Sequence, residues 1–460
     1  MLEIFFDKGT LIAEQCISQF SKNFKFFKWD ERVQKYRAPA FYYREFILSL
    51  REKKISYIDH AKDFLPCTFF LQEKIIPRYY QQHALESWYE KGAKGVVTLP
   101  TGAGKTILAI LAIERIGRPT LIHVPTIDLM QQWYQVLKRY FNIEIGLLGG
   151  GYHNLSTITV STYDSALLHV PFKGNKFGFL IFDECHHLPG EQLQYTAISS
   201  VAPFRLGLTA TPERSDGKEE LLYKICGPIC FQTDIRDLEG VTLAPYDIVT
   251  KEIAMTEEEQ LLYAENRRKY LDFVRAKNIQ FSHNNGWQTF LRVAHQSKEG
   301  KEAFQAYLKQ KKLAQASSNK ENSVWEILCQ HRADRILIFT QDNETAYHLG
   351  SKFLLPVITH HTKVKERESF LSAFRSGKFN ILVTSKVLNE GVDVPDANIA
   401  IVVSGSGTVR EHVQRLGRIL RAKEGKKAIL YELISEGTSE YFVNQRRKQH
   451  SAYEKRTASI

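Results

Sequence analysis

Leu99-Pro100-Thr101-Gly102-Ala103-Gly104-Lys105-Thr106 is the stretch on which the fold turns. It follows the apolar run VVTL at 96–99 and opens into ILAILAIER at 107–115, so it reads as strand, glycine-rich loop and helix. It keeps the Gly-Lys-Thr end of the G-x-x-x-x-G-K-[ST] pattern, with Pro100 or its neighbour where the first glycine would stand. Gly102 and Gly104 let backbone N–H groups wrap a chain of phosphates. Lys105 reaches the outer phosphates, Thr106 offers its hydroxyl to Mg²⁺, and the positive end of the following helix faces the anion. The implied ligand is ATP with Mg²⁺. A chance Gly-Lys-Thr turn leaves the strand-loop-helix context unexplained.

Around this loop, residues 71–240 alternate short apolar runs with helical stretches. The runs at 96–99, 120–124, 157–161, 177–182 and 204–209 carry the β-branched and aromatic content of buried parallel strands. The same alternation returns at 325–435, with runs at 335–340, 356–360, 380–385, 398–404 and 427–433. Between them, residues 250–320 read as a charged helical insertion, and residues 1–68 as a small mixed α/β module rich in aromatics and bases. That module is either a packed sheet with solvated lysines or a surface that touches DNA. Residues 436–460 are polar and basic, a helix or a frayed tail. The expected domains are therefore 1–68, 71–245, 250–320 and 321–460.

FDECHH at 182–187 follows an apolar run, which puts Asp183 at the C-terminal end of a strand, where open α/β sheets bind ligands. One carboxylate, Asp183, can hold Mg²⁺, and the next, Glu184, can polarise an attacking water. His186 and His187 suggest either a metal or a link to the LTATP turn at 208–212, whose hydroxyl residues can sense the γ-phosphate. In the second α/β region Arg418 and Arg421 lie three apart on an expected helix, neighbours on one face, with Gln414 at its start. Guanidinium groups aimed across a cleft at the γ-phosphate are worth about 10³–10⁵ in rate, roughly 4–7 kcal/mol.

The chain has 460 residues, 43% hydrophobic and 25% charged, the composition of a soluble multidomain protein. Its net charge of +11 suits a polyanionic partner and equally serves solubility. Six scattered cysteines make no disulfide framework, and the pair in CGPIC at 226–230 lacks a second pair at metal-ligand spacing. No apolar run reaches the ~18–20 residues of a membrane helix, and the N-terminus lacks the bases of a signal peptide. A cytoplasmic location is expected, nucleoid-associated in an archaeal cell, or nuclear if the host has a nucleus.

These motifs, in this order, resemble the superfamily 2 helicases, and their details resemble the XPB family, best its shorter archaeal members. IPRYYQQHAL at 76–85 is similar to the family's adenine-reading segment, which implies Gln81 as base reader with Arg78 beside it. HVPTIDLMQQW and VSTYDSA resemble DNA-contacting motifs and imply such roles for Thr126 and Thr162. DECHHLP carries Cys185 where the family has Val. VAPFRLGLTAT at 201–211, TSKVLNEGVDVPDAN at 384–398 and SGSGTVREHVQRLGRILR at 404–421 are also very similar. The last two imply a DNA contact at Thr384, nucleotide contacts at Gly391 and Asp393, and catalytic roles for Gln414, Arg418 and Arg421. The family's Arg-Glu-Asp element matches Arg214-Ser215-Asp216, with Ser replacing Glu, and implies DNA contacts at Arg214 and Asp216.

The resemblance implies two RecA-like parallel-sheet lobes, a helical thumb-like insertion and an N-terminal damage-recognition-like domain. It also implies an ATP- and Mg²⁺-dependent DNA translocase with weak 3′-to-5′ unwinding, serving repair or duplex opening. Its expected partners are DNA and either a companion nuclease or the subunits of a repair complex such as TFIIH. Two other readings are an RNA-dependent ATPase of the same superfamily and a non-catalytic subunit that binds nucleotide as structural glue.

Overall fold

The computed structural model describes residues 1–15, 20–211, 217–238, 244–281, 286–385, 397–404 and 428–441. The chain divides into two compact units, the first from Met1 to Asp237 and the second beginning at Leu238.

The first unit opens with β1 (Leu2–Asp7), β2 (Thr10–Glu14), α1 (Phe20–Asn23), β3 (Lys28–Asp30), β4 (Lys35–Pro39), α2 (Tyr43–Glu52) and β5 (Tyr57–Asp59). These strands form one sheet in the order β3-β4-β2-β1-β5. The aromatic runs of this region mostly turn inward: Phe20, Phe24, Phe27 and Phe46 join Leu2, Ile4 and Leu11 in one core, while Trp29 stays exposed. The module is not a free bead. Val201, from far along the chain, belongs to its core, and Arg44 donates to the carbonyls of Gly92 and Pro203 at 2.7 and 3.0 Å.

The larger part of the unit runs α3 (Tyr79–Glu90), β6 (Lys94–Thr98), α4 (Lys105–Ile116), β7 (Thr120–Val124), α5 (Ile127–Tyr140), β8 (Ile145–Gly149), β9 (Tyr152–Asn154), β10 (Ile158–Thr162) and α6 (Tyr163–Lys173). It continues with β11 (Phe179–Asp183), α7 (Tyr195–Ile198), β12 (Phe204–Thr209), α8 (Glu219–Cys226), β13 (Ile229–Gln232) and α9 (Ile235–Leu238). The sheet order is β13-β6-β12-β11-β7-β10-β8-β9, with every pairing parallel except β8 with β9. β7, β8, β10 and β11 are buried at every position, as strands covered on both faces must be. Arg205 of β12 is buried among them and is tolerated because its guanidinium donates to the carbonyls of Ser200, Ala202 and Ile225.

The second unit holds β14 (Tyr246–Ile253), α10 (Glu257–Ala276), α11 (Gly286–Ala294), α12 (Lys298–Gln315), α13 (Ser318–Gln330), β15 (Ile336–Phe339), α14 (Asn343–Phe353), β16 (Val357–Ile358), α15 (Val364–Arg375), β17 (Ile381–Thr384), β18 (Ile399–Val402) and β19 (Ala428–Ser435). Its sheet, β14-β19-β18-β15-β17-β16, is parallel throughout. Both large sheets alternate strand with helix, the RecA-like arrangement expected from the sequence.

The insertion differs from its expected span. Residues 250–253 belong to β14, an edge strand of the sheet, and the helices start at Glu257 behind a capping box between Thr256 and Glu259. YDIVTKEI is only partly buried and mixes charged with apolar residues, so it carries no long apolar run to announce it. Tyr270, Phe273 and Phe290 form the insertion's own small core. Among the described residues no helix is long and apolar enough to cross a membrane.

Candidate active site

β6 lies between β13 and β12, and after its C-terminal end the chain turns through Gly102 and Gly104 with φ of +85° and +83°. An L side chain is strained there, and a Cβ on Gly104 would stand 2.4 Å from the Gln81 amide nitrogen. α4 then starts at Lys105 with Gly104 as its N-cap, leaving its first N–H groups facing the loop. Leu108, Ala109, Ile110, Ala112 and Ile113 are buried, which anchors the helix under that loop. The Lys105 ammonium donates to the Leu99 carbonyl at 3.3 Å and lies 3.9 Å from Glu184 Oε1. Thr106 follows it in the first turn of α4.

β11 delivers the acidic pair two strands away in the sheet, with β12 between it and β6. Asp183 is its last residue and is 6% exposed. Its Oδ2 accepts from the Trp133 indole at 2.8 Å, its Oδ1 from the Glu184 backbone N–H at 3.0 Å, and its carbonyl from the Tyr163 hydroxyl at 3.0 Å. Burial, then the neighbouring Glu184 charge, push its carboxyl up to about 6, against the pull of Lys105 and the two N–H donors. Glu184 follows in a left-handed conformation, φ +48°, rare for a residue with a side chain. Its Oε2 lies 3.5 Å from His186 Nδ1 and has no hydrogen-bond partner. His186 Nδ1 is also 3.2 Å from Thr209 Oγ1, and that hydroxyl donates to the Thr211 carbonyl at 2.9 Å. A polar chain thus runs from the acid to the end of β12.

Gln81 and Arg78 stand at the start of α3. The Gln81 amide oxygen accepts from the Arg78 backbone N–H at 2.9 Å, and its NH₂ donates to the carbonyls of Ala103 and Gly104 at 3.1 and 3.2 Å. Tyr80 donates to Ala103 at 2.7 Å, and Arg78 donates to the Tyr80 hydroxyl at 3.0 Å. Gln81, expected as a base reader, is 3% exposed and braces the phosphate loop directly. One lone pair of its carbonyl remains for a base.

Thr126 and Thr162 both cap helices: Thr126 Oγ1 accepts from Leu129 N–H, and Thr162 Oγ1 from Ser165 N–H, each at 3.2 Å. Capping uses an acceptor position and leaves the hydroxyl proton, and the helix N–H groups, for an anion. The sequence reading missed what lies beside them. Gly149, Gly150 and Gly151 all have positive φ, and a Cβ would stand 2.9 Å from Thr162 Oγ1 at Gly149 and 3.1 Å from Ile127 at Gly150. This turn brings bare backbone to the starts of α5 and α6, and three consecutive glycines after IGLL were its signal.

Thr384 is wholly buried at the end of β17, and its hydroxyl donates to the Ser385 carbonyl at 3.1 Å. Arg214, Asp216, Gly391, Asp393, Gln414, Arg418 and Arg421 lie outside the described residues.

Among the described residues no group of three or more His, Cys, Asp or Glu could hold a metal. Cys226 and Cys230 are buried free thiols. Mg²⁺ in such sites needs only one or two protein oxygens beside phosphate and water, the number that the hydroxyl of Thr106 and the carboxylate of Asp183 would supply. The hydroxyls of Thr98 and Thr101 and Oε2 of Glu184 are buried without hydrogen-bond partners. Unspent polar atoms around a left-handed glycine loop fit a nucleotide polyphosphate.

Three stretches of the chain match family models. The model of the xeroderma pigmentosum group B helicase damage recognition domain matches residues 4–61. That of the type III restriction enzyme res subunit matches 74–214, and that of the ERCC3/RAD25/XPB C-terminal helicase matches 301–453. The chain is 40% identical over 422 residues to the DNA 3′-5′ translocase XPB2 of Sulfurisphaera tokodaii, covering 92% of this chain and 95% of that one. It is 31% identical to the DNA 3′-5′ helicase XPB of Mycobacterium tuberculosis, over 80% of this chain and 63% of the other. Identity is 26% to the Schizosaccharomyces pombe XPB subunit of general transcription and DNA repair factor IIH, over 81% of this chain and 45% of the other.

Proposed function

The chain belongs to the XPB family of DNA helicases and translocases, and from that premise we propose that it is an ATP-driven motor that tracks duplex DNA with 3′-to-5′ polarity and opens or remodels it during repair. The observation that carries this reading is the meeting of Lys105 and Glu184, 3.9 Å apart beside Asp183, at the end of a parallel sheet.

Mg²⁺–ATP would supply the phosphoryl group and the charge neutralisation. The N–H groups of the loop after β6, together with Lys105, would hold the β- and γ-phosphates. Thr106 and Asp183 would hold the cation. Glu184 would orient and polarise the attacking water, its free Oε2 being the acceptor such a water needs. Gln81 would read the adenine with its remaining lone pair, with Arg78 beside it. We assign Arg418 and Arg421 to the charge that develops on the departing phosphoryl group, with Gln414, Gly391 and Asp393 completing the nucleotide contacts. Thr126, Thr162 and the glycine turn at 149–151 would grip the DNA backbone, joined by Arg214 and Asp216.

The deciding experiment is ATP turnover by the purified chain with duplex DNA, with RNA and with neither, beside strand displacement on a tailed duplex. Stimulation by DNA is expected, and stimulation by RNA alone would overturn the assignment. A companion nuclease or repair-complex subunit is the proposed protein partner, to be sought by co-purification on DNA-saturated protein.

A further inference from the structure

Two aromatic side chains reach Asp183 from the two helices whose N-termini flank the glycine turn. Trp133 of α5 donates to its carboxylate at 2.8 Å, and Tyr163 of α6 donates to its carbonyl at 3.0 Å. Trp133 and Tyr163 are 1% and 2% exposed. Among the described residues the indole is the only side chain hydrogen-bonded to that carboxylate. A buried indole N–H needs some acceptor, but a backbone carbonyl is enough: Trp88 in the same unit satisfies its own on Arg205, at 2.9 Å. Trp133 instead uses an oxygen of the one carboxylate placed to hold Mg²⁺.

The indole suits this task. It is a neutral donor that keeps its proton, so it fixes the direction of Oδ2 without changing the site's charge. Two of the carboxylate's four lone-pair positions are taken, by Trp133 and by the Glu184 N–H, leaving the rest for the cation or its water. Thr126, the N-cap of α5, stands two turns from Trp133, about 10 Å along a rigid helix. A shift of α5 by well under an ångström or so separates a hydrogen-bonded geometry from a broken one.

We propose that Trp133 is a positioning residue that couples the N-terminus of α5 to the Asp183 carboxylate, so that engagement of a nucleic-acid backbone at Thr126 reorients the group that holds Mg²⁺. The proposal rests on the motor reading above, and gives it a physical route by which DNA contact accelerates hydrolysis. Tyr163 is the second strut, holding the backbone of Asp183 while Trp133 sets its side chain.

The test uses the full chain carrying 5-fluorotryptophan, observed by ¹⁹F NMR. The Trp133 signal is assigned by elimination from single Phe replacements of Trp29, Trp88, Trp287 and Trp325. It is expected to shift when Mg²⁺–ADP is added and again with duplex DNA. Trp133→Phe keeps an aromatic ring but no donor. It is expected to raise the Mg²⁺ concentration for half-maximal turnover about tenfold or more, and to shrink the fold-stimulation by DNA. A purely structural role would lower the melting temperature and leave both of those readouts unchanged. If Trp133→Phe fails to fold, the wild-type spectrum decides. A Trp133 signal unmoved by Mg²⁺–ADP and by DNA, in a wild type that DNA stimulates, overturns the coupling. A wild type whose turnover ignores DNA overturns the motor reading instead.

Discussion

The Lys105 ammonium stands 3.9 Å from Glu184 Oε1, and each side chain is 12% exposed. A cation from the loop after β6 and an acid from the turn after β11 thus share one sheltered spot at the C-terminal ends of the strands. Among the described residues Lys105 donates to the Leu99 carbonyl alone, at 3.3 Å, and Glu184 Oε2 has no hydrogen-bond partner.

Glu184→Gln is isosteric and keeps Lys105 and Asp183. It should still bind ATP while turnover falls about 10²–10⁴-fold, the usual worth of a positioned general base. Steady-state phosphate release beside equilibrium binding of a fluorescent ATP analogue measures both. Equal loss of binding and turnover would place Glu184 in binding rather than in chemistry.

Gly104→Ala forces a side chain into φ +83° and against Gln81 at 2.4 Å. The left-handed backbone alone costs roughly 1–2 kcal/mol. Nucleotide affinity, measured by equilibrium titration with a fluorescent ATP analogue, should fall at least about tenfold. An unchanged affinity would mean that the loop binds nucleotide in another conformation.

Arg418→Ala and Arg421→Ala should each leave ATP binding near wild type and reduce turnover by about 10³. Single-turnover hydrolysis with pre-bound ATP isolates the step. Wild-type rates in both variants would remove these arginines from the active site.

His123 governs part of the acid stability. Its ring is fully buried, stacks on Phe182 at 4.6 Å, has Nδ1 3.3 Å from the Ile181 carbonyl, and leaves Nε2 without a partner. Burial pushes its pKa down from 6.5 to about 3. Between those values the unfolded chain binds a proton that the native state refuses, so stability rises with pH across that window. The contribution is complete above about pH 6.5 and is lost progressively as pH falls toward 3, amounting to a few kcal/mol at most. His123→Phe should flatten the urea-unfolding stability curve over that range relative to wild type. Parallel curves for the two proteins would assign the acid limb to other groups.

Much of this protein was legible before folding was considered. The runs at 120–124 and 204–209 coincide with β7 and β12, and Asp183 ends its strand as its place after FLIF requires. Continuous apolar runs between helical stretches have few other uses than buried parallel strands. β8 and β14 escaped notice for opposite reasons. β8 has a glycine within it and runs straight into three more, while β14 is an edge strand whose apolar residues are interrupted by Asp247, Lys251 and Glu252. The Ile-Gly-Leu-Leu-Gly run reads as loop until the sheet supplies its neighbours.

The sequence by itself determined the phosphate loop, the acidic pair, the strand-helix alternation and the family, because each depends on residues adjacent in the chain. Only the tertiary structure decided that Gln81 braces the loop, that the turn at Gly149 and Gly150 meets Thr162 and Ile127, and that Trp133 holds Asp183. Those relations join residues far apart in sequence. A donor's partner is set by which buried acceptor the packed sheet and helices leave within about 3 Å of it.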